Sequence, residues 1–326
     1  MQPIKILVIG DVHICDHPPG KRVDGYKDHI LAKLYECVSI AEDQKATHIL
    51  FLGDIFHVKV ANRVSHRLVQ DVGNVFTAFN KPVMVLVGNH DISDGTLDTL
   101  EKQPLGTLEF IPNVTLLKED KFSVTDDLNI HPISGVTGIS VDDFSIKKDN
   151  KNDIMVVHQS IVPDIKKERE ILHDHLFDAA AIAEMTDIDI ILYGHQHRKD
   201  GIYKIERENS TTCTFSNLGS ICRLTVTNDD VSKEPCVLLL DIAGSGEVTM
   251  EEIMLKNVLP AHEAYFLDEH LDEKAHNQDI EDTIRKLKET EVSAFSIESV
   301  ISDIEVRNDI DQGVKMTALN LLEEIR

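Results

Sequence analysis

Leu52-Gly53-Asp54-Ile55-Phe56-His57 follows the short apolar run His48 to Leu52, so Asp54 leaves the carboxyl end of a strand that reads as buried. Four other stretches repeat this arrangement: Asp11-Val12-His13, Gly88-Asn89-His90-Asp91, Val157-His158-Gln159 and Gly194-His195-Gln196-His197. Each presents Asp, His or Asn where an apolar strand stops. Strand ends hold side chains rigidly, and the carboxyl rim is where open α/β sheets usually place their sites.

The runs around these stretches set the architecture. Lys5–Ile9, Val83–Val87, Ile154–Val157 and Ile188–Tyr193 are nearly unbroken apolar segments, the pattern of strands covered on both faces. Between the first three strands, apolar residues recur at helical spacing: Ile30, Leu31, Leu34, Val38 and Ala41 within 24–45, then Val64, Leu68, Val72, Val75, Phe76 and Phe79 within 63–79, where Lys81-Pro82 stops the helix. This β-α-β-α-β rhythm predicts a largely parallel sheet. Val114–Leu117 and Asn129–Ile133, set between turn residues, are expected in a second sheet. A polar helix is predicted over 165–177, an alanine-rich one over 178–185, and a β-meander over 202–254 with Gly244-Ser245-Gly246 as a tight turn.

Beyond Pro260 the texture changes: residues 260–326 hold 17 acidic and 7 basic residues, with helical patterns at 278–290 and 312–326. The last of these carries an apolar stripe of Met316, Leu319, Leu322 and Ile325. The expected organisation is therefore a main domain over 1–258 and a small α+β C-terminal domain over 259–326, which would cap the first or dock a partner.

Composition narrows the function. The net charge of 33 − 57 = −24 has the wrong sign for a protein that grips nucleic acid with its whole surface. Contact with DNA would have to pass through bound metals, local basic patches or a partner. Trp is absent and aromatics make up 5%, which argues against broad base-stacking platforms. The five cysteines show no CxxC, a strand begins near residue 4, and no apolar run approaches the ~20 residues of a membrane span. These features predict reduced thiols, a cytoplasmic setting and no membrane association. Cys15, two residues past His13, is read as structural rather than as a ligand.

The five strand ends suit one chemistry. Hydrolysing a phosphodiester requires an activated water and neutralised phosphoryl charge, and two divalent cations about 3.5–4 Å apart supply both, sharing a bridging carboxylate. Asp54 is placed to bridge; Asp11 and His13 can hold one cation and Asn89 the other, with His158, His195 and His197 completing the shells. Mixed Asp, His and Asn donors favour Mn²⁺, with Mg²⁺ as the second choice, over Ca²⁺ or a thiolate zinc site.

In this order DxH, GDxxH, GNHD, a strand-borne His and GHxH resemble the five signatures of calcineurin-like metallophosphoesterases over residues 4–255. GDIFH rather than GDxxD, the His158-Gln159 pair, and GHQH followed by Asn217-Leu218-Gly219-Ser220 resemble the SbcD-type DNA repair nuclease branch. The resemblance implies a four-layer αββα sandwich. It assigns one metal to Asp11, His13, Asp54 and His197, and the other to Asp54, Asn89, His158 and His195. It gives His90 the role of steadying the phosphate and protonating the leaving oxygen, and puts His57 near the scissile phosphate. It also implies a homodimer acting with an SbcC-type ATPase as a DNA exonuclease and endonuclease. The competing expectation is a phosphatase or cyclic-nucleotide phosphodiesterase with the same metal core and a small substrate, which the acidic surface favours. A non-catalytic scaffold would need a lost ligand, and none is missing. Of the remaining side chains, Asp91 is expected to orient a neighbouring histidine. His173 and His175 are read as polar helix residues, and Gly135–Gly138 is too short a pattern for a phosphate cradle.

Overall fold

The computed structural model describes residues 2–258 apart from 21, 23, 24, 166–175, 226 and 227, with Pro260 and, beyond it, residues 304, 315, 316 and 319. The chain divides into two compact units, Met1–Tyr265 and Phe266–Arg326. The boundary expected at 258–259 lies at the margin of the described residues. The helical pattern at 278–290, most of that at 312–326, and His173 and His175 of the expected polar helix lie outside the described residues.

Strands β1 (Ile4–Ile9), β2 (His48–Phe51), β3 (Val83–Leu86) and β4 (Val114–Leu117) run parallel, and the hairpin β13 (Cys236–Ile242) with β14 (Val248–Met254) joins β1 antiparallel. The order of this first sheet is β14-β13-β1-β2-β3-β4. A second sheet has parallel strands β6 (Leu128–Ile133), β7 (Ile154–His158), β10 (Ile190–Gly194) and β12 (Thr212–Asn217). It is edged by antiparallel β5 (Phe122–Thr125) and β11 (Gly201–Glu206). Between β7 and β10, the two-residue strands β8 (Ile161–Val162) and β9 (Phe177–Asp178) pair parallel, so Phe177 is extended rather than the end of a helix.

Two expectations are corrected here. Val114–Leu117 lies beside β3 in the first sheet, in register Val83↔Val114, not in the second. Residues 202–254 are not one meander but two hairpins, β11–β12 in the second sheet and β13–β14 in the first. A short apolar strand carries the same local pattern at the edge of either sheet, so pairing across the fold decides which edge it joins.

The alternation along each strand explains the layers. Ile4, Ile6 and Val8 of β1, Leu50 of β2 and Met84 and Leu86 of β3 face Ile130, Ile154, Val156, Ile190 and Leu192 of the second sheet. On the opposite face Leu7, Ile9, Ile49, Phe51, Val83 and Val85 pack under α1 (Tyr26–Asp43) and α2 (His66–Ala78). Helix α1 buries Tyr26, Ile30, Leu34, Cys37 and Ala41, and α2 buries Leu68, Val72, Val75 and Phe76, each a single stripe at helical spacing. Phe51 meets Phe76 with ring centroids 5.0 Å apart. The second sheet's outer face, with Met155, Val157, Ile191, Tyr193 and Phe215, is covered by α4 (Ala179–Met185), after the short α3 (Pro104–Leu108) earlier in the chain. The result is the expected four-layer αββα sandwich. Helix α2 starts at His66 because Ser65 accepts from Leu68 N at 3.1 Å, a side-chain N-cap. Among the described residues no helix is long and apolar enough to cross a membrane.

All five ligand-bearing strand ends share one rim because β1, β2 and β3 in one sheet, and β7 and β10 in the other, end on the same side of the sandwich. Leu50 is wholly buried between the sheets. Leu50→Ala should cost about 2–5 kcal/mol of unfolding free energy in a urea titration, whereas Phe110→Ser, at a side chain 90% exposed, should change it by less than about 0.5 kcal/mol.

Candidate metal centre

The exit loops of β1 and β2 are joined to each other. Val12 N and His13 N donate to the Asp54 carbonyl at 3.1 and 2.9 Å, Ile14 N donates to Ile55 O, and His57 N donates to Ile14 O. These tight exits force unusual backbone. Six non-glycine residues among those described have positive φ, and three of them are His13, Asp54 and His195 (φ 49°, 48° and 81°). Lys45 and Asn80 close helices, but the three at strand exits hold strained geometry at one site, the usual signature of function.

The side chains converge. Oδ2 of Asp54 lies 3.3 Å from His13 Nε2 on one side and 3.3 Å from His158 Nε2 on the other, while Oδ1 accepts from His90 N at 2.7 Å. On the first side, His197 Nε2 is 2.8 Å from His13 Nε2 and 3.8 Å from Asp11 Oδ2. On the second, Asn89 Oδ1 is 3.0 Å from His195 Nδ1 and 3.2 Å from His158 Nε2. Asp11, His13, Asp54 and His197 form one cluster of donor atoms within 4.8 Å of one another; Asp54, His158 and His195 form another, and His13, His57 and His90 a third. All seven expected ligands therefore meet at one rim around Asp54. His57 and His90 adjoin them: His90 Nδ1 lies 2.6 Å from the His57 carbonyl, and His57 Nδ1 lies 3.4 Å from His13 Nδ1. Cys15 stays apart, its thiol donating to His17 O at 3.0 Å and pushed up to about 12 by burial.

The donor set fits cations. Asn89 Oδ1 faces only acceptors, Asp54 Oδ2 at 3.2 Å among them, while its NH₂ faces Lys59 Nζ. Turned over, the amide would donate to all three and accept from Lys59 at 3.2 Å. A cation bound there would be met by the same amide with its oxygen inward, alongside Asp54 Oδ2 and the His158 and His195 nitrogens, a mixed O and N donor set of the kind divalent cations take. The histidines are prepared for it. Burial holds His13 well below its usual range and, with the Lys233 ammonium, lowers His197 to about 4, keeping both rings neutral. His158 Nδ1 lies 2.7 Å from Leu52 O, which fixes the proton there and leaves Nε2 for a ligand bond. Burial disfavours charge on both His158 and Asp54, but their mutual attraction prevails, raising the imidazole and holding the carboxyl well below its usual range. Burial raises Asp11 to about 7.

Several supporting residues escaped the sequence reading. Asp91 does not orient a histidine: its carboxylate accepts from Gly88 N (3.0 Å), Ile55 N (3.1 Å) and Phe56 N (3.3 Å), tying the β2 and β3 exits together. A Cβ on Gly88 would stand 2.1 Å from Asp54 Oδ1, so only glycine lets this loop close on the shared carboxylate. Gly135, too weak a signal for a phosphate cradle, is instead a close approach to Asn89: a Cβ there would meet Asn89 N at 2.3 Å. Gln159 Nε2 secures that loop through Ser134 O and Val136 O. A GNHD motif followed by an isolated glycine was the available signal for both contacts.

The calcineurin-like phosphoesterase family pattern matches residues 4–199. No curated protein sequence matches the chain. Among solved structures, an archaeal phosphodiesterase overlays with 17% identity, covering 77% of this chain and 100% of its own, at TM-score 0.37. A dimetal phosphatase from Danio rerio overlays with 11% identity, covering 78% and 96%, at TM-score 0.49. The protein TT1561 of Thermus thermophilus does so with 12% identity, covering 76% and 98%, at TM-score 0.45.

Because Asp11 is raised to about 7 and His158 to about 10, a cation must displace their protons, and affinity should rise with pH through about 7 and on towards about 10. Calorimetric Mn²⁺ titrations in buffers of different ionisation enthalpy should show proton release that is larger below about 7, where both groups hold protons, than between about 7 and 10. A pH-independent affinity with no release would contradict the ligand set.

Proposed function

The chain belongs to the calcineurin-like phosphoesterase family, hydrolases of phosphoester bonds that use two divalent metal ions, and from that membership we propose that it is a Mn²⁺-dependent DNA phosphodiesterase of the SbcD type. The observation that carries the phosphodiesterase reading is the single oxygen of Asp54 set between two histidine clusters. Asp11, His13, Asp54 and His197 would hold one cation and Asp54, Asn89, His158 and His195 the other. When bound, the pair acidifies water and neutralises charge on the phosphoryl oxygens.

The chain's own residues supply the remainder. With its Nδ1 proton engaged by the His57 carbonyl at 2.6 Å, His90 presents Nε2 to a bound phosphodiester, where it steadies a phosphoryl oxygen and passes a proton to the leaving oxygen. The His57 ring stacks on His90 with centroids 5.5 Å apart, beside the scissile phosphate. The DNA reading is supported by His57 in GDIFH, by the His158-Gln159 pair and by the Asn217–Ser220 motif. In this reading the chain works as a homodimer with an SbcC-type ATPase, and residues 259–326, with their terminal apolar stripe, form a separate small domain for docking that partner. The net charge of −24 favours a second reading, a phosphatase or cyclic-nucleotide phosphodiesterase acting on a small substrate.

An end-labelled linear duplex incubated with Mn²⁺ should be degraded. Intact DNA alongside rapid hydrolysis of a small phosphodiester would select the second reading. His90→Ala should keep both metals and lower turnover by roughly 10²–10⁴. Asp54→Ala should lose one metal and all turnover, and metal content by mass spectrometry unchanged in Asp54→Ala would refute the bridging role.

A further inference from the structure

The motif Asn217-Leu218-Gly219-Ser220 has no direct part in the chemistry, yet its backbone lies against both loops that carry the first cluster. Ser220 N donates to the His197 carbonyl at 3.2 Å, and Ile221 N to the Asp11 carbonyl at 3.0 Å. The buried Asn217 amide donates to Gln196 O and Arg198 O at 3.4 and 3.3 Å, gripping the chain on both sides of His197. Gly219 has φ 66°, and a Cβ there would stand 2.4 Å from His197 O. In the second cluster His158 and Asn89 take their settings from Leu52 O and the Gly135 loop, while His195 N donates to the Asp11 carboxylate at 3.0 Å and so meets the turn indirectly.

The turn is locked from below by a buried ion pair. Lys233 Nζ lies 2.7 Å from Asp230 Oδ1, with side chains 5% and 7% exposed. The same ammonium donates to Ser220 Oγ at 2.7 Å and Cys222 O at 2.9 Å, and Lys33 Nζ donates to Ile221 O at 2.6 Å. The other Asp230 oxygen accepts from Leu224 N, Thr225 N and the Thr225 hydroxyl. An ammonium in so dry a place persists only when its donors are engaged, so the pair fixes the turn in one geometry.

We propose that Lys233, acting through Ser220 and the Asn217–Ser220 turn, is a positioning residue that sets His197 and Asp11, and so tunes affinity at the Asp11/His13/Asp54/His197 site more strongly than at the Asp54/Asn89/His158/His195 site, which the turn reaches indirectly through Gln196 O and the Asp11 carboxylate on His195 N. This rests on the two-metal reading above. The two sites are therefore separated by background, Asn89→Ala leaving the first and His197→Ala leaving the second, each titrated with Mn²⁺ by calorimetry. Into each background go Ser220→Ala, which cuts the link while sparing the ion pair, and the double change Asp230→Asn with Lys233→Met, which removes both charges together and so strands neither. In the Asn89→Ala background the affinity should fall by about 10- to 100-fold, the range for a lost outer hydrogen bond to a metal ligand. In the His197→Ala background it should fall by a clearly smaller factor, under about fivefold on the same principle, since of that site's ligands the turn bears on His195 alone, and through Asp11 and the Gln196 carbonyl. Equal losses in both backgrounds, which is what general loosening gives, or no loss in the first, would overturn the proposal. Failure of the unmutated chain to bind Mn²⁺ would overturn the two-metal reading itself.

Discussion

One carboxylate oxygen, Asp54 Oδ2, sits 3.3 Å from imidazole nitrogens on both sides. It is nearly sealed from water, where an uncompensated charge is costly. His158, raised by its attraction to this carboxylate, supplies the compensation by holding a proton. A bound cation would take over that task and release the proton. The surroundings serve this arrangement: Asp91 ties the exits of β2 and β3, and Gly88 admits the carboxylate where any side chain would exclude it.

The strained backbone follows from the same demand. A strand leaving the rim in ordinary extended geometry carries its side chains away along the strand direction. Positive φ at His13, Asp54 and His195 turns each side chain back over the rim at once, so ligands from both sheets reach a common point. Such conformations cost of order 1–3 kcal/mol each, and the interlocking hydrogen bonds between the β1 and β2 exits hold them in place. The apolar core between the two sheets provides the stiffness that keeps the two halves of the site in register.

The two clusters are supported by different means. The second rests on main-chain atoms close to its own ligands, the Leu52 carbonyl and the Gly135 loop. The first leans on a turn some twenty residues downstream of His197, braced by a buried lysine and aspartate. The two walls of the site thus have different anchors, and they meet where His195 N donates to the Asp11 carboxylate.

Composition and spacing were enough to identify β1, β2, β3, β7 and β10, helices α1 and α2, and the residues emitted at the strand ends, because burial on one or both faces writes a local period into the sequence. The same reasoning brought forward Asp11, His13, Asp54, Asn89, His158, His195 and His197 as candidates, since five strand ends in order each present Asp, His or Asn, although a single such residue would signal little. It misplaced Val114–Leu117 and merged two hairpins into one meander, because sheet membership is set by pairing between residues far apart in the chain. Nor could it assign Asp91 to three backbone amides or connect Lys233 to His197 through Ser220. Those contacts depend on where loops from different strands come to rest, and only the packed sandwich brings them within hydrogen-bonding distance.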